Sequence, residues 1–285
     1  MVSSLTYTPG TFGSPAIDLY DPHGLMIGDI SGLRKREWSY DAGYRSIQGV
    51  TRPVADRDLE LTSVDSVMLD TLMNVADADL SNLTPGTITV NGAWTQRCYL
   101  TVSDPSGEVP SPRLQKITLT ATLLDGVWRS DMPTISVQPN APDDDGSDGS
   151  LDLPADLSHD LGKGSPVVLV TNPLFAPLSW RMTWYGPVSS PHLTIAGNLY
   201  LVDVDVPDGA RLDIDSVSKT ITLTMANGDS SNVFAYGLRG TGIGGGRYIF
   251  QPIPAGDSHV EWDGSFGFDL TPILEETTPP WQTLN

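Results

Sequence analysis

The chain has 285 residues, 39% of them hydrophobic, which is length for one or two domains and apolar mass for a core. Its 35 acidic residues outweigh 16 basic ones, for a net charge of −19, and so acidic a surface repels phosphate backbones and anionic headgroups. Stable nucleic-acid binding and direct membrane insertion are therefore not expected. The single cysteine, Cys98, excludes an intramolecular disulfide framework and a cysteine-only metal site. Met1–Gly10 lacks the basic and apolar runs of an export signal, and no apolar run approaches the ~18 residues of a membrane span.

In chain order, residues 33–57 come first, an aromatic and basic stretch. Trp38, Tyr40 and Tyr44 sit in a polar, glycine-containing context flanked by Arg34, Lys35, Arg36, Arg45, Arg52 and Arg57. On an acidic chain, this reads either as an arm reaching onto an acidic neighbour or as a solvated hairpin. Leu59–Thr62 alternates as a strand does and leads into Val64–Leu80, where Val64, Val67, Met68, Leu72 and Val75 fall at helical spacing. Thr62 with Asp65 predicts a capping-box-like start. Pro85-Gly86 predicts the stop, with Gly86 supplying a positive φ. Thr87–Val90, the turn Asn91-Gly92 and Ala93–Val102 read as strand, turn, strand. Arg113–Leu124 reads as a half-buried strand, and Val127-Trp128-Arg129 opens another after Asp125-Gly126.

Residues 138–165 hold seven aspartates, three prolines and no aromatics, the composition of an acidic flexible linker. This divides the chain into a first β-domain with one helix (1–137), the linker (138–165) and a second β-domain (166–285). In the last, Val167–Val170, Trp180–Trp184, His192–Ile195, Leu199–Val206, Arg211–Ile214, Thr220–Met225, Val233–Tyr236, Tyr248–Phe250 and His259–Trp262 are short runs spaced by turn residues. That rhythm predicts a β-sandwich, so the fold class is mainly β.

Local signals for chemistry are few. The four histidines, His23, His159, His192 and His259, lie in unrelated contexts, and no G-x-S-x-G or paired His/Cys spacing occurs. Gly162-Lys163-Gly164-Ser165 fails the phosphate-loop pattern, and Gly240–Gly246 has no following helix to lend an N-terminus. The linker aspartates do not fit a calcium loop, because Ala141 falls at its first ligand position. No catalytic residue, metal site or cofactor is expected. Asp203 and Asp205 lie two apart on an inferred strand and leave a sandwich hydrolase as the last-ranked reading. Trp180 and Trp184 share one strand face and with Tyr185 could stack on a sugar ring; core filling is the favoured reading for the tryptophans.

The order of these features resembles the distal tail proteins of long, non-contractile-tailed bacteriophages. The resemblance runs through Trp38 to Arg57, the helix Val64–Leu80, Thr84–Gly92 and Leu124–Arg129. It continues through Tyr185-Gly-Pro187, Pro191–Ile195, Gly209–Asp215, Lys219-Thr-Ile221, Ile253–Gly256 and Val260-Glu-Trp262. The acidic linker departs from it. The resemblance implies a tail-tube-like N-terminal β-domain and a galectin-like C-terminal sandwich. It also implies a homo-oligomeric, hexameric ring at the virion's distal tail tip, made in the host cytoplasm. Such a ring joins the tail-tube protein to the tail-associated hub or spike, anchors receptor-binding proteins and lets DNA pass through its lumen. Leu33–Arg52, with Arg36, Trp38, Tyr40, Tyr44 and Arg45, is the candidate ring-interface arm. The alternative is a carbohydrate-binding module contacting host cell-wall glycans through the C-terminal sandwich.

Overall fold

In the computed structural model, which describes residues 4–11, 13–105, 114–140 and 168–279, the chain divides into two units. Met1–Ser130 with Glu275–Asn285 forms the first, and Asp131–Leu274 the second. The acidic stretch lies, from residue 141 to its end, outside the described residues, as does His159. Ile135–Val137 already pairs with a strand of the second unit, so the division falls after Ser130.

The first unit contains β1 (Leu5–Thr8), β2 (Ile17–Asp18), β3 (Leu25–Ile27), β4 (Ser39–Ala42), β5 (Ile47–Thr51), β6 (Ala55–Ser63), α1 (Ser66–Asn82), β7 (Gly86–Val90), β8 (Trp94–Pro105), β9 (Gln115–Leu123) and β10 (Trp128–Asp131). An antiparallel sheet runs β2-β1-β7-β8-β9-β6-β3, with β10 pairing β8 at Thr95. Period-two alternation puts Leu59, Leu61, Ile88, Val90, Cys98, Leu100, Ile117 and Leu119 inside. Burial pushes the Cys98 thiol up to about 12, so it behaves as a small core hydrophobe.

Helix α1 begins two residues later than its apolar spacing suggests. Its N-cap is Asp65, whose side chain accepts from the Val67 N–H at 2.8 Å; Thr62 stays in the strand. The buried face is Leu69, Leu72, Ala76 and Asp79, while Val64 and Val67 face solvent. The helix stops at Leu83, which itself takes the left-handed conformation (φ 54°), with the Thr84 N–H reaching the Asp79 carbonyl. Gly86 lies in β7 without a positive φ, and a Cβ there would overlap the Tyr7 ring. Glycine is needed for close approach rather than for a turn.

Asp79 ties this region together. Its carboxylate is buried and accepts from Tyr7 Oη (2.6 Å), Gly10 N (3.0 Å), Thr11 N (2.8 Å) and Thr11 Oγ1 (2.8 Å). Burial opposes its charge, but these donors outweigh burial and hold its pKa below the usual carboxylate range.

The second unit contains β11 (Ile135–Val137), β12 (Val168–Asn172), β13 (Ser179–Tyr185), β14 (Val188–Ser189), β15 (His192–Ile195), β16 (Asn198–Leu201), β17 (Asp205–Val206), β18 (Arg211–Asp215), β19 (Thr220–Thr224), β20 (Ser230–Asn232), β21 (Gly256–Glu261) and all but the last two residues of β22 (Phe268–Glu276). One sheet runs β11-β22-β13-β18-β19-β20 and the other β12-β21-β15-β16, both antiparallel. Their inner faces share one core, in which Trp180 of β13 meets Tyr200 of β16 edge-on, ring centroids 5.4 Å apart. The architecture is a β-sandwich. Two expected strands are not strands: Val233–Tyr236 gives a 3-10 turn at Phe234–Tyr236, and Tyr248–Phe250 is a turn that buries Ile249 and Phe250. Leu199–Val206 breaks into β16 and β17.

Candidate functional site

Strands β4 and β5 pair with each other and with nothing else among the described residues. Tyr40 lies opposite Val50 and Ala42 opposite Ile47, so one face of this ribbon is apolar. It is uncovered: Tyr40 is 63% exposed, Ile47 61% and Val50 53%. A two-stranded ribbon is at best marginally stable in water, and an apolar face turned to solvent gives it no core of its own.

The tip is tightly turned, with the Gly43 N–H bonded to the Ser46 carbonyl at 2.7 Å and Arg45 at φ 76°. Tyr44 is 89% exposed there, and the Arg45 guanidinium lies 5.2 Å from its ring centroid. At the base, Arg52 and Arg36 lie 4.7 and 5.7 Å from the Trp38 ring, within cation–π range. Below them Arg57, buried, donates to Glu37 (3.2 Å), which also pairs with Lys35 (3.4 Å). The hydrogen bond from Arg57, then the charge of Lys35, holds the Glu37 carboxyl below the usual range. The structure thus places Tyr40, Tyr44 and Arg45 on the β4–β5 hairpin, with Arg36 and Trp38 just before its first strand. Ile47, Val50 and exposed Val54 extend the patch; their apolar type within a basic, aromatic stretch was the available signal.

The aromatic trio of the sandwich behaves differently. Trp180 and Trp184 are fully buried, so neither offers a ring to a ligand, and the stacking platform is corrected for both. The cause is the strand period: both side chains point into the core, where Trp180 Nε1 donates to the Gln251 carbonyl (2.8 Å) and Trp184 packs on Phe266. Tyr185 has the opposite parity and remains 40% exposed, its hydroxyl donating to Asp269 at 2.7 Å.

No acid–base pair forms at the other carboxylates considered. Asp203 lies outside any strand and accepts from Ser190 Oγ (2.6 Å), while Asp205 is in β17; both are exposed. His23, His192 and His259 are exposed and lie on separate elements. Among the described residues, no cluster of three or more His, Cys, Asp or Glu could hold a metal, and no helix is long and apolar enough to cross a membrane. Gly240–Gly246 forms a loop between β20 and β21.

No protein-family model and no curated protein matches the sequence. Solved structures do. SPP1 Dit, described as a paradigm of the hub adsorption apparatus in phages infecting Gram-positive hosts, aligns over 95% of this chain and 99% of its own, with TM-score 0.53 and 10% identity. A chain of the phage p2 baseplate in its activated conformation with Sr aligns over 97% of this chain and 99% of its own, with TM-score 0.57 and 10% identity. The chain shares the fold of SPP1 Dit and of this p2 baseplate chain. The likeness spans both units, and at so low an identity it lies in the backbone fold.

Proposed function

We propose that this chain is a structural component of a phage tail tip that assembles as a closed ring, with the β4–β5 hairpin of each copy lying on its neighbour. The observation that carries the reading is the hairpin itself, an exposed apolar ribbon with Arg45 at its tip and Arg36 and Arg52 at its base, on a chain of net charge −19. A basic, aromatic arm and an acidic body are complementary, and a head-to-tail contact of this kind closes into a ring when its rotation divides the circle. Six copies, a connection to the tail tube above and to a hub or spike below, and anchorage of receptor-binding proteins complete the proposal. It is supported by likeness to SPP1 Dit and to a phage p2 baseplate chain. An acidic lumen would let DNA pass without adhering. The chain acts by binding, and no catalytic step is assigned to it.

The test is native mass spectrometry with light scattering on the full chain. A ring of about six copies is expected, and a monomer at every concentration would overturn the reading. Replacing residues 40–50 by a short turn should abolish the ring while both units stay folded. Glu37 is best left in place, because Arg57 is buried against it.

A second reading, binding of host cell-wall glycans by the sandwich, is favoured by one observation, the exposed ring of Tyr185.

A further inference from the structure

The outer face of β13, β18 and β22 carries a polar cluster. Tyr185 stands on β13 opposite Arg211 of β18, and two residues back Thr183 lies between Asp213 of β18 and Asp269 of β22. The Tyr185 ring is oriented by its hydroxyl, which donates to Asp269, while its backbone N–H donates to the Gly267 carbonyl at 2.9 Å. Beside it opens a hollow of about 250 Å³, walled by Tyr185, Pro187, Pro139 and Phe266 and rimmed by Ser265 and Gln138.

The chemistry of this place is selective. An oriented aromatic ring beside Pro139 and Pro187 suits the C–H face of a pyranose. Asp269 uses one oxygen for Tyr185, and a carboxylate has about four acceptor sites, so it keeps capacity for ligand hydroxyls. Asp213 accepts from Thr183 Oγ1 (2.8 Å) and Arg211 Nε (3.0 Å), so its carboxylate acceptor and the guanidinium donors of Arg211 lie next to each other, the arrangement that meets a vicinal diol. Two carboxylates against one arginine on a strongly acidic chain repel uronic acids, sialic acids and phosphorylated wall polymers. A comparable hollow of about 240 Å³ at Ile195–Asn198 and Gly244–Gly246 has no aromatic ring to stack on.

We infer that this face is a binding site for a neutral saccharide, with Tyr185 as the stacking wall and Asp269, Asp213 and Arg211 as hydroxyl partners. This rests on the glycan reading above, and it replaces the buried tryptophans with a site built around Tyr185.

The test applies the full-length chain to an array of neutral and anionic glycans and titrates the best ligand calorimetrically against wild type, Tyr185→Ala, Tyr185→Phe and Asp269→Asn. Binding to neutral glycans is expected. Tyr185→Ala should weaken it about tenfold, and Tyr185→Phe, which keeps the ring, should retain most of it. Asp269→Asn should weaken it severalfold. All three variants alter exposed or half-buried side chains, so unchanged melting temperatures serve as the folding control. Neutral binding that survives Tyr185→Ala unchanged overturns this site and leaves the glycan reading standing. Preference for anionic glycans overturns the selectivity argued here. Absence of binding to every glycan overturns both site and reading, and it leaves the ring untouched, since native mass spectrometry tests that separately.

Discussion

Two stretches of this chain carry nearly the same aromatic content and meet opposite fates. Trp38, Tyr40 and Tyr44 belong to a hairpin that leaves its tyrosines in solvent, whereas Trp180 and Trp184 are sealed inside a sandwich. The contrast arises from neighbours. Leu178, Trp180, Met182 and Trp184 are apolar at every second position, and both flanking strands repeat that pattern, so a facing sheet can cover them. The hairpin has one apolar face too, but no third strand and no opposing sheet among the described residues. Aromatic content marks a surface for burial; the number of strands beside it decides whether its own chain or a partner provides the cover.

The largest effect that could break this comparison lies in the sandwich. Trp180→Ala or Trp184→Ala should destabilise the second unit by about 3–5 kcal/mol, read by denaturant unfolding. Substitution by phenylalanine sharpens it. Trp180 Nε1 donates to the Gln251 carbonyl, while Trp184 Nε1 is buried without a partner, so Trp180→Phe should cost more than Trp184→Phe. Equal costs would mean that ring volume alone matters at both positions.

Next in size is the Asp79 clamp in the first unit. Asp79→Ala strips four donors of their acceptor and should cost about 2–3 kcal/mol, with the N-terminal strand and the Gly10–Thr11 turn losing amide-exchange protection first.

That clamp also shows where sequence reasoning reaches its limit. Alternation exposed Leu59–Thr62 and Thr87–Val90 as strands, and the Asn91-Gly92 turn was readable because both residues adopt positive φ, 54° and 67°. The aromatic and basic run at 34–57 was legible as something set apart. A carboxylate at the inner face of α1 was not, because its reason for being there is Tyr7 and Thr11, about seventy residues away. Strand β22 escaped for a different reason. It pairs along β13 yet contains Pro272 and ends in Glu275-Glu276, features that locally argue against a paired strand. Its long-range pairing overrides the local signal. The candidate stacking residues divided by parity alone, which an error of one position in strand register would have reversed.

A smaller effect comes with acid. Burial of Asp125 opposes its charge, but the guanidinium groups of Arg97 and Arg129 outweigh burial and hold its carboxyl below the usual range. A carboxyl depressed in the folded state contributes stability that is complete above the unfolded pKa, about 3.9. As pH falls below that value, the unfolded chain takes up the proton first and the contribution is lost through the folded pKa. The unfolding midpoint of the first unit should therefore drop below about pH 4, and Asp125→Asn should flatten that part of the pH dependence. An unchanged slope would leave the acid sensitivity to Asp79.

The smallest effect on stability should coincide with the largest on assembly. Tyr40→Ser with Tyr44→Ser removes two exposed rings that pack on no core of their own, so chemical stability of the monomer should change by less than about 0.5 kcal/mol. In the proposed assembly the same side chains would be buried against a neighbour, and aromatic anchors of that kind dominate interface energies. Light scattering should then report loss of the ring with unfolding curves unaltered. Raising the salt concentration should weaken assembly in wild type too, because the proposed contact sets arginine on the arm against acid on the body and exposed charges are screened over about 10 Å at 0.1 M. Were the double variant to unfold the first unit, the hairpin would belong to the core as the sandwich tryptophans do, and the distinction between the two regions would vanish.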